Sequence, residues 1–356
     1  MDEVMDDDLY NQIFSKTDDN IGNFKKYEFD PADFLDRGAI WYGATKSGKT
    51  FHIKYCLNQM KHIFPRVILF STTTESSGDF DGIVNKEMIF TEFTEEKFVE
   101  QIEAQMEIMD VYRRITKKET LEEVFAISAS TEQKNMYKKI LLTYENRINS
   151  IKRTDKSDNI KLGEINIITK KFDKMFINFL RTCIIPIRNK IDIEQLSETG
   201  RECVKYIDMN PRVLFIFDDV QNELNDMLSR RKSKGALTSK NLFSRGRHNM
   251  ITHWYTLQDD TSLPAALRKN AKISVLTQVG IANGFIARAT NGIDKESQKL
   301  GLELTRKIFT GEGHKKIIYF ADRSGNEKFQ YHTAEECGLF CVGSEIVNSY
   351  CNELVK

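Results

Sequence analysis

The stretch AIWYGATKSGKTFHIKYCLNQM, Ala39–Met60, decides the fold. It begins with a short run of β-formers, passes through a glycine-bearing loop, and continues at helical spacing. Inside it, GATKSGKT fits G-x-x-x-x-G-K-[ST] over Gly43, Ala44, Thr45, Lys46, Ser47, Gly48, Lys49 and Thr50. A strand before and a helix after are the setting this phosphate loop requires. Its glycines let backbone N–H groups approach phosphates closely, and the helix N-terminus adds its positive end. Lys49 is expected to reach the β- and γ-phosphates of ATP, and the Thr50 hydroxyl to bind Mg²⁺. Lys46 either adds charge near the phosphates or points to solvent.

Outward from the loop, apolar runs recur: RVILFS (66–71), RVLFIFDDV (212–220), MITHWYTLQ (250–258), KISVLTQV (272–279) and KKIIYFA (315–321). Most are followed by a helical stretch. Alternation of this kind predicts an α/β fold with a mainly parallel sheet. From about 94 to 206 the pattern turns helical: TEEKFVEQIEAQMEIMDVYRR carries Phe98, Ile102, Met106 and Met109 close to helical spacing. The stretch KMFINFLRTCIIPIRNKI breaks or kinks at Pro186. The expected organisation is an acidic N-terminal extension (1–34), one domain (35–345) with a helical insertion at about 94–206, and a C-terminal tail (346–356).

The totals narrow the function. The 356 residues carry 52 basic and 52 acidic groups, so nucleic-acid contact must come from local patches. No window approaches the ~18 apolar residues of a membrane span. MDEVMDDD at the start carries five acids and no basic n-region, so no secretory signal is expected. Scattered cysteines fit a reducing compartment. His332, Cys337, Cys341 and Cys351 lack a common zinc spacing and read as free thiols and a histidine rather than a metal site.

A phosphate loop needs an acid at the end of a neighbouring strand. Asp218 is expected to hold Mg²⁺, and Asp219 to orient or deprotonate water; the alternative for Asp219 is a cap on the next helix. If the strand at 250–257 lies between the loop strand and the acidic strand, Gln258 faces the γ-phosphate as a sensor. Arg245 and Arg247 sit at the opposite end of that strand, where a neighbouring subunit's nucleotide or DNA could meet them. Arg268 is a rival finger. SRRKSKGALTSK, Ser229–Lys240, with Arg230, Arg231, Lys232, Lys234 and Lys240 and a glycine for mobility, is the candidate DNA contact. YRRITKKE near Arg113 reads as a solvated face. NKID at Asn189–Asp192 and DFDG at Asp79–Gly82 match GTPase patterns but sit in a helical stretch and a loop.

Taken together, GATKSGKT, VLFIFDDV, LFSRGRHNMITHWYTLQ and LPAALRKNAKISVLTQ resemble the genome-packaging ATPases of large double-stranded DNA viruses of the poxvirus type, within the FtsK–HerA superfamily. The resemblance covers about residues 36–80 and 210–325. It implies a RecA-like P-loop NTPase core using ATP and Mg²⁺. It also implies a homo-oligomeric ring, about five or six subunits, around double-stranded DNA, with capsid vertex or portal proteins as partners. The host cytoplasm, in a viral factory, or the virion is the implied location. A GTPase-type switch, a helicase and a scaffold subunit with a vestigial loop are the competing readings.

Overall fold

The computed structural model describes residues 24–309 and 315–347. The described residues divide into two compact units, one within 24–102 and 212–347, the other of residues 103–211.

Among the described residues the first unit is built on eight strands: β1 (Gly38–Tyr42), β2 (Arg66–Ser71), β3 (Ile89–Phe90), β4 (Val213–Asp218), β5 (Ile251–Leu257), β6 (Ile273–Leu276), β7 (Lys315–Phe320) and β8 (Phe329–Thr333). Their order is β3-β2-β4-β5-β1-β6-β7-β8. The first six are parallel; β7 pairs antiparallel with β6 and β8 antiparallel with β7, so β7 alone is reversed. β1 and β5 are buried along their whole length, as strands covered on both faces must be.

Alternate residues serve opposite cores. Ile40, Tyr42, Phe70, Phe217 and Tyr255 face one layer, and Ala39, Trp41, Leu69, Ile216 and Trp254 the other. On the first face Phe70, Phe217 and Tyr255 stack across three strands, with centroids 5.5 and 4.6 Å apart. The second face is covered by helix α1 (Lys49–Gln59), through Ile53, Cys56 and Leu57, and by irregular segments.

Helix α2 (Glu95–Ile115) follows β3, and its first turns cover the opposite face with Phe98, Val99 and Ile102. The second unit holds α3 (Lys118–Ser128), α4 (Thr131–Lys152), α5 (Asp158–Ile184) and α6 (Glu198–Tyr206). Its core includes Leu121, Val124, Phe125, Leu180, Ile184, Cys203 and Ile207. A capping box, Ser130 with Gln133, starts α4. As the position of Pro186 predicts, α5 ends at Ile184 and a 3₁₀ turn, Ile185–Lys190, follows. Back in the first unit come α7 (Gln221–Ser229), α8 (Lys234–Arg245), α9 (Ala265–Asn270), α10 (Val279–Ala287) and α11 (Lys295–Ile308).

Three expectations need correction. Residues 24–34, assigned to the acidic extension, belong to the folded unit. Tyr27 and Phe34 are buried, and the Tyr27 N–H donates to the Tyr331 carbonyl at 2.7 Å. Their aromatic side chains outweigh the surrounding charge; the acidic residues 1–23 lie outside the described residues. Strands β3 and β8 have no counterpart in the apolar runs, because β3 is two residues long and β8 buries polar Gln330 and His332. The helical insertion separates as a unit at 103–211 rather than 94–206, since α2 starts against the sheet. Among the described residues no helix is long and apolar enough to cross a membrane.

Candidate nucleotide site

The loop Gly43–Gly48 joins β1 to α1 at the carboxyl ends of the parallel strands, where α/β folds bind ligands. Its glycines are required by contact. A Cβ on Gly43 would lie 1.8 Å from Thr277 Oγ1 and 2.4 Å from Ser47 Oγ. Gly48 has φ +81°, in the left-handed region. Lys46 shares that conformation, φ 63°, and is exposed. Lys49 is only 7% exposed, and its Nζ donates to the Gly43 carbonyl at 2.7 Å and to Ala44 at 3.0 Å. Burial lowers its pKa, while Asp219 and Asp218 pull the other way. The loop is further held by Gln278, whose Oε1 accepts from the Ala44 N–H at 3.1 Å, and by Thr277, whose Oγ1 lies 2.7 Å from Ser47 Oγ.

Asp218 ends β4 in register with Ser71 of β2. It is 3% exposed, and burial pushes its carboxyl up to about 6, against the bond from Thr256 and the pull of Lys49. Ser71 Oγ is buried without a hydrogen-bond partner among the described residues. A buried carboxylate beside an orphaned hydroxyl, with Thr50 at the start of α1, is a hard-oxygen donor set that fits Mg²⁺.

Asp219 has φ 52°, in the left-handed region that aspartate enters more readily than most residues with a side chain. Three threonines hold it there. Thr72 Oγ1 donates to the Asp219 carbonyl at 2.9 Å, Thr73 Oγ1 to Oδ2 at 3.1 Å, and the Asp219 N–H donates to Thr256 Oγ1 at 3.1 Å. The capping alternative fails, because α7 begins after Val220 with no side-chain cap.

β5 lies between β4 and β1, so Gln258 leaves the sheet between the acids and the loop. Its N–H donates to Gln221 Oε1 at 2.8 Å, which ties it to the first residue of α7.

Arg245 ends α8, and Arg247 follows in the 3₁₀ turn Gly246–Asn249, ahead of the amino end of β5. Both are exposed, and neither has an ion pair among the described residues. Arg247 borders a cleft with Arg37, His248, His253 and Lys272.

Arg268 is different, and the finger expectation is corrected for it. It is 9% exposed and its guanidinium is used inside its own chain. Nη1 donates to the carbonyls of Asp260 and Leu263, Nη2 to Thr290 Oγ1 at 3.0 Å, and Nε to Asn291 Oδ1 at 3.1 Å.

The basic stretch after α7 is mostly not a loop. Ser233 caps α8, so Lys234 and Lys240 are helical. Arg230 pairs with Glu95 at 3.2 Å, while Arg231, Lys232 and Lys240 are exposed. Gly235 does not supply mobility: a Cβ there would meet Met227 Sδ at 2.5 Å and Glu95 Cγ at 2.7 Å. Arg113 and Arg114 pair with Asp110 and Glu202.

The GTPase-like residues are engaged elsewhere. Asp192 accepts from the Glu194 N–H and Gln195, and Asp79 pairs with Lys54 at 3.2 Å. Cys351 lies outside the described residues, and His332 Nδ1 is 3.0 Å from His52 Nε2. Among the described residues no cluster of three or more His, Cys, Asp or Glu is placed to hold a metal.

Sequence reasoning missed Thr72, Thr73, Gln221, Thr256, Thr277 and Gln278, which brace the loop and the acids. One signal was present. STTT at the end of β2 and TQ at the end of β6 are polar clusters following apolar strands, as DD and Gln258 are.

No protein-family model matches the chain. Protein B354L of African swine fever virus (isolate Warthog/Namibia), described as uncharacterized, is 24% identical over 340 residues, covering 91% of this chain and 89% of its own. The isolate from a Malawi tick gives the same identity and coverage. Among solved structures, the genome packaging NTPase B204 of Sulfolobus turreted icosahedral virus 2 aligns with 86% of this chain and 98% of its own, at TM-score 0.39 and 11% identity. The pCW3 conjugation coupling protein TcpA aligns with 90% and 65%, at TM-score 0.39 and 10% identity. Loop, acidic strand and sheet order give the chain a P-loop NTPase-type α/β fold, and its motifs resemble those of the FtsK–HerA-type packaging ATPases.

Proposed function

We propose that the protein is an ATP-driven translocase of double-stranded DNA that works as a ring and packages a viral genome into a capsid. The observation that carries this reading is the strand order β4-β5-β1. With it, one strand has Gln258 at its nucleotide end and Arg245 and Arg247 at its far end. A ring built on that strand can link hydrolysis in one subunit to contacts made by the next.

In the proposed chemistry, Lys49 leaves the Gly43 and Ala44 carbonyls to meet the β- and γ-phosphates. Asp219, aimed by Thr72, Thr73 and Thr256, orients the attacking water and takes its proton. Gln258 bonds that water and a γ-phosphate oxygen, and its backbone tie to Gln221 passes the loss of the γ-phosphate to α7. Thr50 and Asp218 would hold Mg²⁺, which would neutralise charge on the phosphate oxygens. Arg245 or Arg247 of a neighbouring subunit would stabilise the transition state. Arg231, Lys232, Lys234 and Lys240, just beyond α7, would meet DNA phosphates without reading sequence. Capsid vertex or portal proteins would be the assembly partners, in a viral factory or the virion.

The test is phosphate release with ATP or GTP, with and without long duplex DNA, beside Lys49→Ala and Asp219→Asn. ATP hydrolysis stimulated by duplex DNA and lost in both variants is expected. Hydrolysis indifferent to DNA in an assembled ring would overturn the translocase reading.

A further inference from the structure

Lys316, the second residue of β7, is 2% exposed, and the mechanism above does not use it. It shares a sheet face with Ile318 and Phe320, the face that α1 covers, so its stem runs through that core. The ammonium emerges beneath the crest of the phosphate loop. Nζ donates to the Ser47 carbonyl at 2.7 Å, and a Cβ on Gly48 would stand 3.0 Å from it. Gly48 therefore leaves room for this cation as well as adopting a positive φ.

No carboxylate pairs with Lys316 among the described residues. Its polar neighbours are neutral. Trp41 Nε1 donates to His52 Nδ1 at 2.9 Å, so His52 carries its proton on Nε2 and gives it to His332 Nδ1 at 3.0 Å. Burial keeps both imidazoles low, and the charge on Lys316 lowers His52 further. Burial alone draws Lys316 down to about 8. A buried cation without a counter-charge is costly, and such a charge persists where a partner arrives later. Directly above it lies the cradle for a polyanion.

We propose that Lys316 is a positioning residue of the phosphate site: it holds the loop crest through the Ser47 carbonyl and sets a second positive charge under the bound phosphates. The inference rests on the loop binding ATP, and nothing in it requires DNA.

The experiment is equilibrium titration with a fluorescent ATP analogue, competed by ATP, ADP and AMP, on wild type, Lys316→Met and Lys316→Arg. The thermal midpoint is measured without nucleotide. Methionine keeps the apolar stem and removes the charge. Expected is a loss of ATP affinity of about tenfold or more, graded from ATP through ADP to a small loss for AMP. The nucleotide-free midpoint reports separately the opposing effects of losing the Ser47 bond and of removing a buried charge, and arginine should recover part of the affinity. Two results overturn the proposal: unchanged ATP affinity, or an equal loss for all three nucleotides. If Lys316→Met does not fold, Lys316→Gln, which also removes the charge and keeps a polar end, takes its place. Wild-type protein that binds no ATP would remove the ATPase reading itself, and that is read before any variant.

Discussion

Replacing Arg268 with alanine separates a structural arginine from a catalytic one. The side chain makes four hydrogen bonds, two of them to the carbonyls of Asp260 and Leu263. Asp260 is itself buried, and its carboxylate is held separately by Arg288 at 2.6 Å. Alanine would leave both carbonyls short of a donor and open a void beside Thr290 and Asn291. A bond to a charged group contributes about 1.5–3 kcal/mol, and an orphaned buried acceptor costs about 1–3. These overlap, and all four partners are neutral, so the net expected loss is about 2–4 kcal/mol. For a unit of this size that is roughly 10 °C in thermal midpoint.

The assay is built in. Both tryptophans of the chain, Trp41 and Trp254, are buried in the sheet unit, so their fluorescence in urea reports that unit's unfolding. Arg245→Ala and Arg247→Ala, both exposed, are the controls and should move the curve by less than about 0.5 kcal/mol. An Arg268→Ala protein with unchanged stability and abolished hydrolysis would refute the reasoning and restore Arg268 as the finger.

Other outcomes follow from the same geometry. Thr73→Val removes the bond that aims the Asp219 carboxylate; kcat should fall about tenfold with KM nearly unchanged, and a KM effect alone would contradict the aiming role. His253 is buried and held down to about 3, so the unfolded chain binds the extra proton. Its contribution to stability is full above pH ~6.5 and is lost progressively as pH falls toward 3. Urea curves of His253→Phe should depend less on pH between about 6.5 and 4, and an unaltered dependence would exclude this histidine. Gly235→Ala should destabilise by about 1–3 kcal/mol, because Met227 and Glu95 occupy the space; a neutral result would return Gly235 to a flexible role.

Much of the site was legible one residue at a time. The loop motif needs consecutive residues, because backbone N–H groups, a lysine and a hydroxyl must surround one phosphate chain, and local sequence specifies that. The acids at 218 and 219 were legible because they end an apolar run. Arg268 shows the limit. From sequence it is one arginine among three, and only the positions of Asp260, Leu263, Thr290 and Asn291 reveal that it is engaged. Gly235 likewise reads as freedom until Met227 and Glu95 are placed against it.

By itself, then, the sequence determined the phosphate loop, the acidic strand, the α/β alternation and the helical break at Pro186, all of which are contiguous patterns. The tertiary structure decided what depends on neighbours distant in the chain. It inserted β5 between β4 and β1, and set Thr72 and Thr73 against Asp219 across more than a hundred residues. It also carried Lys316 under a loop 269 residues away. A buried polar group takes its meaning from whatever satisfies it, and in a parallel sheet those partners come from other strands.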